Sequence, residues 1–308
     1  MEVDGRTAHY GVFYGVHELI NDDRPLWLVH GNCQAESLRI LLTGPDPATA
    51  QVRTVRIPPV HELTAEDVPH LQRLLAHTQV LLSQPVKDGY RDLPLGTDET
   101  AALLPSGARV LRWPVLRYAG LYPYQVIVRH PDDGGLDPPV VAYHDLRTVA
   151  VARGRDDAFT HRASPQAYRQ VAADSTAELA RREAAQCDVG VSDLLATPAA
   201  DLAHTINHPG NRVLAAVATR LQEAGGLAVG VSDPGRDLLG GVRSPLEPEV
   251  VDALGLATAP RSHWNVGGEE VDPAVVHEAQ LAAYAEDPKW VEAAVARYEE
   301  RLELLGLA

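Results

Sequence analysis

Residues 26–42 constrain the chain more than any other stretch. Leu26-Trp27-Leu28-Val29 is a continuous apolar run, Gly31-Asn32 turns it, and Ala35, Leu38, Leu41 and Leu42 then fall on one helical face before Thr43-Gly44-Pro45 stops it. A buried strand that feeds straight into an amphipathic helix is the opening of a βαβ unit, which commits the chain to a parallel sheet with helices on its faces. The turn puts Cys33 at a strand-to-helix junction, where the first helical N–H groups have no helical partner and the helix dipole is positive. That setting biases a thiol toward thiolate and offers N–H donors to an oxyanion. The same cysteine is also consistent with a small, inert core residue.

The rest of the first half repeats the pattern. Residues 51–57 alternate apolar and polar, as a half-buried strand does, and Pro58-Pro59 closes them. Strands are also expected at 79–83 and 108–113, with helices at 64–76 and 95–104 between them. In an open parallel sheet, ligand sites gather at the carboxyl ends of the strands. Residues 31–34, 84–91 and 113–118 therefore share one rim. Downstream, 140–151 reads as a further strand, and helices are expected at 164–186, 211–224, 245–254 and 273–305, the last interrupted at Asp287-Pro288. The fold class is α/β with a helical C-terminal half. Residues 1–25 are expected to form an N-terminal extension, 26–240 an α/β domain, and 241–308 a helical tail packed on it.

Charge narrows the partners. With 27 basic against 42 acidic residues the net charge is −15, which argues against nucleic acid or an anionic membrane surface as a general partner. No apolar run is long enough to span a bilayer and residues 1–25 lack a signal-peptide pattern, so membrane insertion is not expected. The two cysteines, Cys33 and Cys187, make neither a disulfide framework nor a metal-ligand spacing, so no metal is expected and a reducing cytoplasm fits. Lys87 and Lys289 are the only lysines, the other basic residues being arginines. No Gly-x-Gly-x-x-Gly follows any expected strand, which removes a dinucleotide fold.

Two further stretches carry chemistry. Ser83-Gln84-Pro85-Val86-Lys87-Asp88-Gly89-Tyr90-Arg91 follows a buried strand, where Lys87 and Arg91 suit phosphates; a solvated loop is the competing reading. Thr205-Ile206-Asn207-His208-Pro209-Gly210-Asn211 precedes a helix, and Pro209 in its first turn would set Asn207 and His208 at the helix N-terminus. A histidine titrating near neutrality is the natural base or cation for a thiol, although it also serves as a plain cap.

His30-Gly31-Asn32-Cys33-Gln34 resembles the Gly-Asn-Cys-Gln signature of the WcbI-like polysaccharide-biosynthesis family. The resemblance continues, in order, through Gln84-Pro85 with Tyr90-Arg91, the segment Trp113–Pro123, Tyr143-His144-Asp145 and Asn207-His208-Pro209, from about Pro25 to Leu221. It implies a coenzyme A-binding protein proposed to transfer an acyl, typically acetyl, group, on a parallel-sheet fold distantly like Ser-Gly-Asn-His hydrolases with cysteine in the nucleophile's place. Cys33 then becomes the key thiol and His208 the acid/base. Asn32 and Gln34 become oxyanion or substrate contacts, and Gln84, Lys87, Tyr90, Arg91 and Asn207 coenzyme contacts. Coenzyme A or its acyl form is the implied co-substrate and a sugar or other small molecule the acceptor, in a chain that is expected to self-associate as a homo-oligomer or act alone. The same Cys–His pair would serve an ester or thioester hydrolase, and a non-catalytic coenzyme- or sugar-binding protein is the reading from another class.

Overall fold

The computed structural model describes residues 4–19 and 22–308. The chain forms two compact units, each assembled from three segments: Met1–Leu116, Leu179–Leu194 and Gly210–Leu239 in the first, Arg117–Glu178, Leu195–Pro209 and Gly240–Ala308 in the second.

The first unit is built on a parallel sheet of β1 (Leu26–His30), β2 (Arg53–Thr54), β3 (Val80–Ser83) and β4 (Arg109–Arg112), in the order β2-β1-β3-β4. The register places Trp27 between Thr54 and Val80, and His30 opposite Ser83, itself opposite Arg112. β1 and β3 are buried along their whole length, as central strands covered on both faces must be. The strand expected at 51–57 pairs only at Arg53–Thr54. Val55 and Ile57 then leave the ladder and point into the core, so their alternation reflects burial rather than pairing.

Helix Gln34–Thr43 follows β1 as expected, and Asn211–Gly225 packs against it. The latter buries Val213, Leu214, Val217 and Leu221, and Gly225 is demanded there because a Cβ would sit 2.0 Å from the Trp27 ring. In helix Val68–Leu75, Pro69 occupies the first turn, where it costs no hydrogen bond. The N-terminal extension, expected over 1–25, includes residues 1–3 and 20–21 that lie outside the described residues. Its described part is part of the core: Asp4 caps helix Gly5–His9, Phe13 is fully buried beside Leu26, Leu28 and Leu74, and Arg73 holds the Val12 and Phe13 carbonyls at 2.7 and 2.8 Å.

In the second unit the strand expected at 140–151 is replaced by a two-residue antiparallel pair, His144–Asp145 against Gln125–Val126, followed by helix Leu146–Ala152. The Asp145 side chain accepts from Arg147 N at 2.8 Å and starts the helix, so Leu146, Val149 and Ala150 form a buried helical face. Helix Pro165–Gln186 runs as expected. Helices Pro248–Leu254, Pro273–Glu286 and Lys289–Leu304 include the predicted break at Asp287-Pro288. The C-terminal part is nevertheless not all helical. Val242–Arg243, Trp264–Val266 and Glu269–Val271 make a three-stranded antiparallel sheet, its tight turn supplied by Gly267 and Gly268 at positive φ. Among the described residues no helix is long and apolar enough to cross a membrane.

Candidate active site

The rim at the carboxyl ends of β1, β3 and β4 is braced by two buried glutamines. Gln34 is 0% and Gln84 2% exposed, so their amides must find partners inside the protein. Gln34 Nε2 donates to Leu116 O at 2.8 Å, and its Oε1 accepts from Leu116 N and from Gln84 Nε2, both at 3.0 Å. Gln84 Oε1 accepts from Asn32 N at 2.8 Å. One continuous amide chain thus ties the ends of three strands. Gly31 completes it: a Cβ there would lie 2.6 Å from Gln84 Oε1. Asn32 Oδ1 accepts from Gln34 N at 2.9 Å and closes the turn into the helix. Gln34 and Gln84, expected among substrate and coenzyme contacts, are engaged in holding the rim together.

Cys33 caps this helix and is a free, half-buried thiol. Its titration runs against the sequence-based expectation. Burial pushes the thiol up, and the N–H groups of Cys33 and Gln34 only partly offset this, with the Glu62 charge adding to the rise. At neutral pH the thiol is protonated.

The other expected contacts from this rim are in the same unit. Lys87 is exposed and lines a groove of about 600 Å³ with Thr97, Arg112 and Cys187. Burial, then Glu183 and Asp188, push the Cys187 thiol up to about 11, so it is inert. Tyr90 leans on the hydrophobic core. Two residues after Gly89, Arg91 and Asp92 both take left-handed backbone, φ 53° and 62°, an arrangement costly for residues other than glycine. Arg91 is exposed and donates Nη1 to His61 O at 2.5 Å. Neither Lys87 nor Arg91 has a carboxylate partner among the described residues.

Asn207 and His208 belong to the second unit. They are not at a helix N-terminus: His208–Pro209 pairs with Ala203–Thr205 in a hairpin turned at Ile206-Asn207, and the helix begins only at Asn211. Around the hairpin lies an aromatic and hydroxyl cluster that the sequence did not reveal. Tyr143 donates its hydroxyl to Asn207 Oδ1 at 2.7 Å and lies 2.8 Å from Thr205 Oγ1. It meets His208 edge-on at 6.4 Å and stacks on Trp264 at 5.8 Å. Tyr143 was visible only as part of Tyr143-His144-Asp145, and Trp264 carried no signal. His208 Nδ1 is buried without a partner. Burial, and then the charge of His204, pull the imidazole down to about 4, against a bond to the Val242 backbone that acts the other way. The ring is therefore neutral at pH 7 rather than titrating near it. Among the described residues no group of three or more histidine, cysteine or acidic side chains is arranged to hold a metal.

Comparison with known proteins places this geometry. The chain matches a solved structure over 92% of its length and 99% of the other chain, at 20% identity with a TM-score of 0.76. That protein is described as WcbI, a novel polysaccharide biosynthesis enzyme, in native form without a disulfide bond between coenzyme A and one of its cysteines. No curated protein sequence matches the chain. The family model "Polysaccharide biosynthesis enzyme WcbI" matches residues 26–229, from the first residue of β1 to just beyond helix Asn211–Gly225. The parallel sheet, its braced Gly31–Gln34 turn and the His208 hairpin all fall within that match, and the chain belongs to the WcbI family of polysaccharide biosynthesis enzymes.

Proposed function

We propose that this chain is an acyltransferase that takes an acyl, typically acetyl, group from coenzyme A and passes it to a hydroxyl or amine of a sugar or other small biosynthetic acceptor. The observation that carries the reading is Cys33 at a braced strand-to-helix turn, in a family of which one solved structure is described with reference to a disulfide between coenzyme A and a cysteine. A disulfide requires two sulfurs within bonding reach, and on this reading Cys33 is the counterpart of that cysteine and lies beside the coenzyme's reactive end. The first unit fits such a ligand, because Lys87 and Arg91 are exposed cations without carboxylate partners, suited to its phosphates.

When bound, the coenzyme supplies the acyl group as an activated thioester. The chain's own residues do the rest. The neutral His208 imidazole accepts the proton of the acceptor's hydroxyl or amine as that group bonds to the acyl carbon, and gives it to the coenzyme sulfur as the C–S bond breaks. Because burial keeps the Cys33 thiol protonated, direct transfer to the acceptor is favoured over an acyl-cysteine route.

The test is calorimetric titration with coenzyme A, followed by acetyl transfer to a panel of sugars. Saturable binding weakened at least about fivefold by Lys87→Ala or Arg91→Ala is expected. His208→Gln should lose about a hundredfold in transfer, the scale of a general base. Cys33→Ala should keep measurable transfer with no acyl adduct on the wild-type protein by intact mass. Absence of coenzyme binding overturns the reading, and an acetylated Cys33 overturns the direct route.

A further inference from the structure

The second unit contains a cavity of about 440 Å³ that no step above uses, within the range that encloses a small ligand. Its polar wall is rigidly held. Arg147 donates Nε and Nη2 to the two oxygens of Asp145 at 3.0 and 2.7 Å, and its Nη1 lies 2.9 Å from Glu247. The Tyr124 ring stacks beneath this guanidinium at 4.3 Å. The two carboxylates are occupied on one side and keep acceptor capacity on the other.

Arg261 is the opposite case. Its Nε and Nη2 both donate to Ser244 O, at 2.8 and 2.6 Å, and no carboxylate pairs with it among the described residues. That grip, even with the neighbouring Tyr122 hydroxyl, uses only part of its five N–H groups. It is a half-buried cation held in place with its charge unpaired.

The rest of the lining sets an apolar wall of Leu121, Trp264 and several prolines beside the neutral polar groups of Gln125, Ser262 and His277. This combination selects a chemistry. An apolar ligand would strip water from Asp145 and Glu247 without replacing it. A polyanion would face those two carboxylates. A polyhydroxylated ring bearing one acid group satisfies both sides: C–H faces against the apolar wall, hydroxyls on the carboxylates, the acid on Arg261. Trp264 also connects the cavity to chemistry, since it stacks on Tyr143, which bonds Asn207 and abuts His208.

We propose that this cavity binds a monosaccharide unit carrying one acid group, with Arg261 as its anion contact. Its binding is independent of acyl transfer, whereas its use as the acceptor site rests on the reading above. The test is saturation-transfer NMR and Trp fluorescence titration of the full chain with glucuronate, glucose 6-phosphate and glucose. At least one acid sugar binds saturably and at least tenfold more tightly than glucose, and the preferred probe distinguishes carboxylate from phosphate. Arg261→Gln, which keeps a donor for Ser244 O, abolishes that tenfold preference. Ser262→Trp, at an exposed lining position whose Oγ bonds the adjacent His263, blocks all three sugars. Cys33→Ala and the coenzyme titration leave these results unchanged, so failure of acyl transfer is read separately. No saturable binding of an acid sugar, a preference that survives in Arg261→Gln, or binding that survives in Ser262→Trp overturns the proposal.

Discussion

Gly31→Ala tests the glutamine brace at its tightest point. The backbone of Gly31 is not left-handed, so alanine is permitted there and the only obstacle is space. The new Cβ would stand 2.6 Å from Gln84 Oε1 and 2.9 Å from its Cδ, well inside contact distance, and the amide must withdraw. Withdrawal breaks the bonds to Asn32 N at 2.8 Å and Gln34 Oε1 at 3.0 Å and leaves a buried N–H unpaired. Each such loss costs about 1–3 kcal/mol. The lower entropy of alanine in the unfolded chain returns about 0.4–1 kcal/mol. The net expectation is a loss of about 2–3 kcal/mol. Urea unfolding followed through Trp27 and Trp113, both buried in the first unit, measures it. In a Gln84→Ala background there is nothing left to displace, so Gly31→Ala becomes neutral or slightly stabilising there, a coupling of about 2–3 kcal/mol. A single mutant within about 0.5 kcal/mol of wild type refutes the argument, as does a penalty that persists without Gln84.

Two further outcomes follow from buried charge. His144 and His208 are both held near 4 by burial but titrate near 6.5 when unfolded, so the unfolded chain binds protons first and stability falls as pH drops from about 6.5 to about 4. The slope reaches about 1.4 kcal/mol per pH unit for each group, is absent above pH 7.5, and is reduced in His144→Asn; urea midpoints that stay flat across that window contradict it. Arg147→Met strands Asp145 and Glu247 and should cost about 3–5 kcal/mol in thermal unfolding, most of it recovered when Asp145→Asn and Glu247→Gln are added. A triple variant no more stable than Arg147→Met would show that the charges are not the cause.

Local patterns were legible where short-range physics decides them. The strand, turn and helix of residues 26–42, the carboxyl rim, helix Pro165–Gln186 and the break at Asp287-Pro288 all follow from apolar period, glycine and proline. What escaped depends on partners distant in sequence. Gln34 and Gln84 look like site amides until Leu116 and each other are seen to satisfy them. A helix N-terminus is visible at Cys33, but the burial that outweighs it is not. Pro209 reads equally well as a first helical residue or as an edge of a two-residue strand, and only pairing with Ala203 distinguishes them. Strands of two or three residues, as in the sheet at 242–271, are too short to show a period.

The order in which the first unit's segments leave the ribosome has a consequence for expression. β4 ends at Arg112, yet helix Asn211–Gly225, whose Gly225 seats against Trp27, arrives about a hundred residues later. A nascent chain therefore carries a completed sheet with part of its apolar cover still unmade, the condition in which strands associate with the wrong neighbour. Truncation anywhere between Arg112 and Gly225 reproduces that state permanently. Neither unit can be excised as a continuous fragment, and shortened forms of this chain should partition to inclusion bodies.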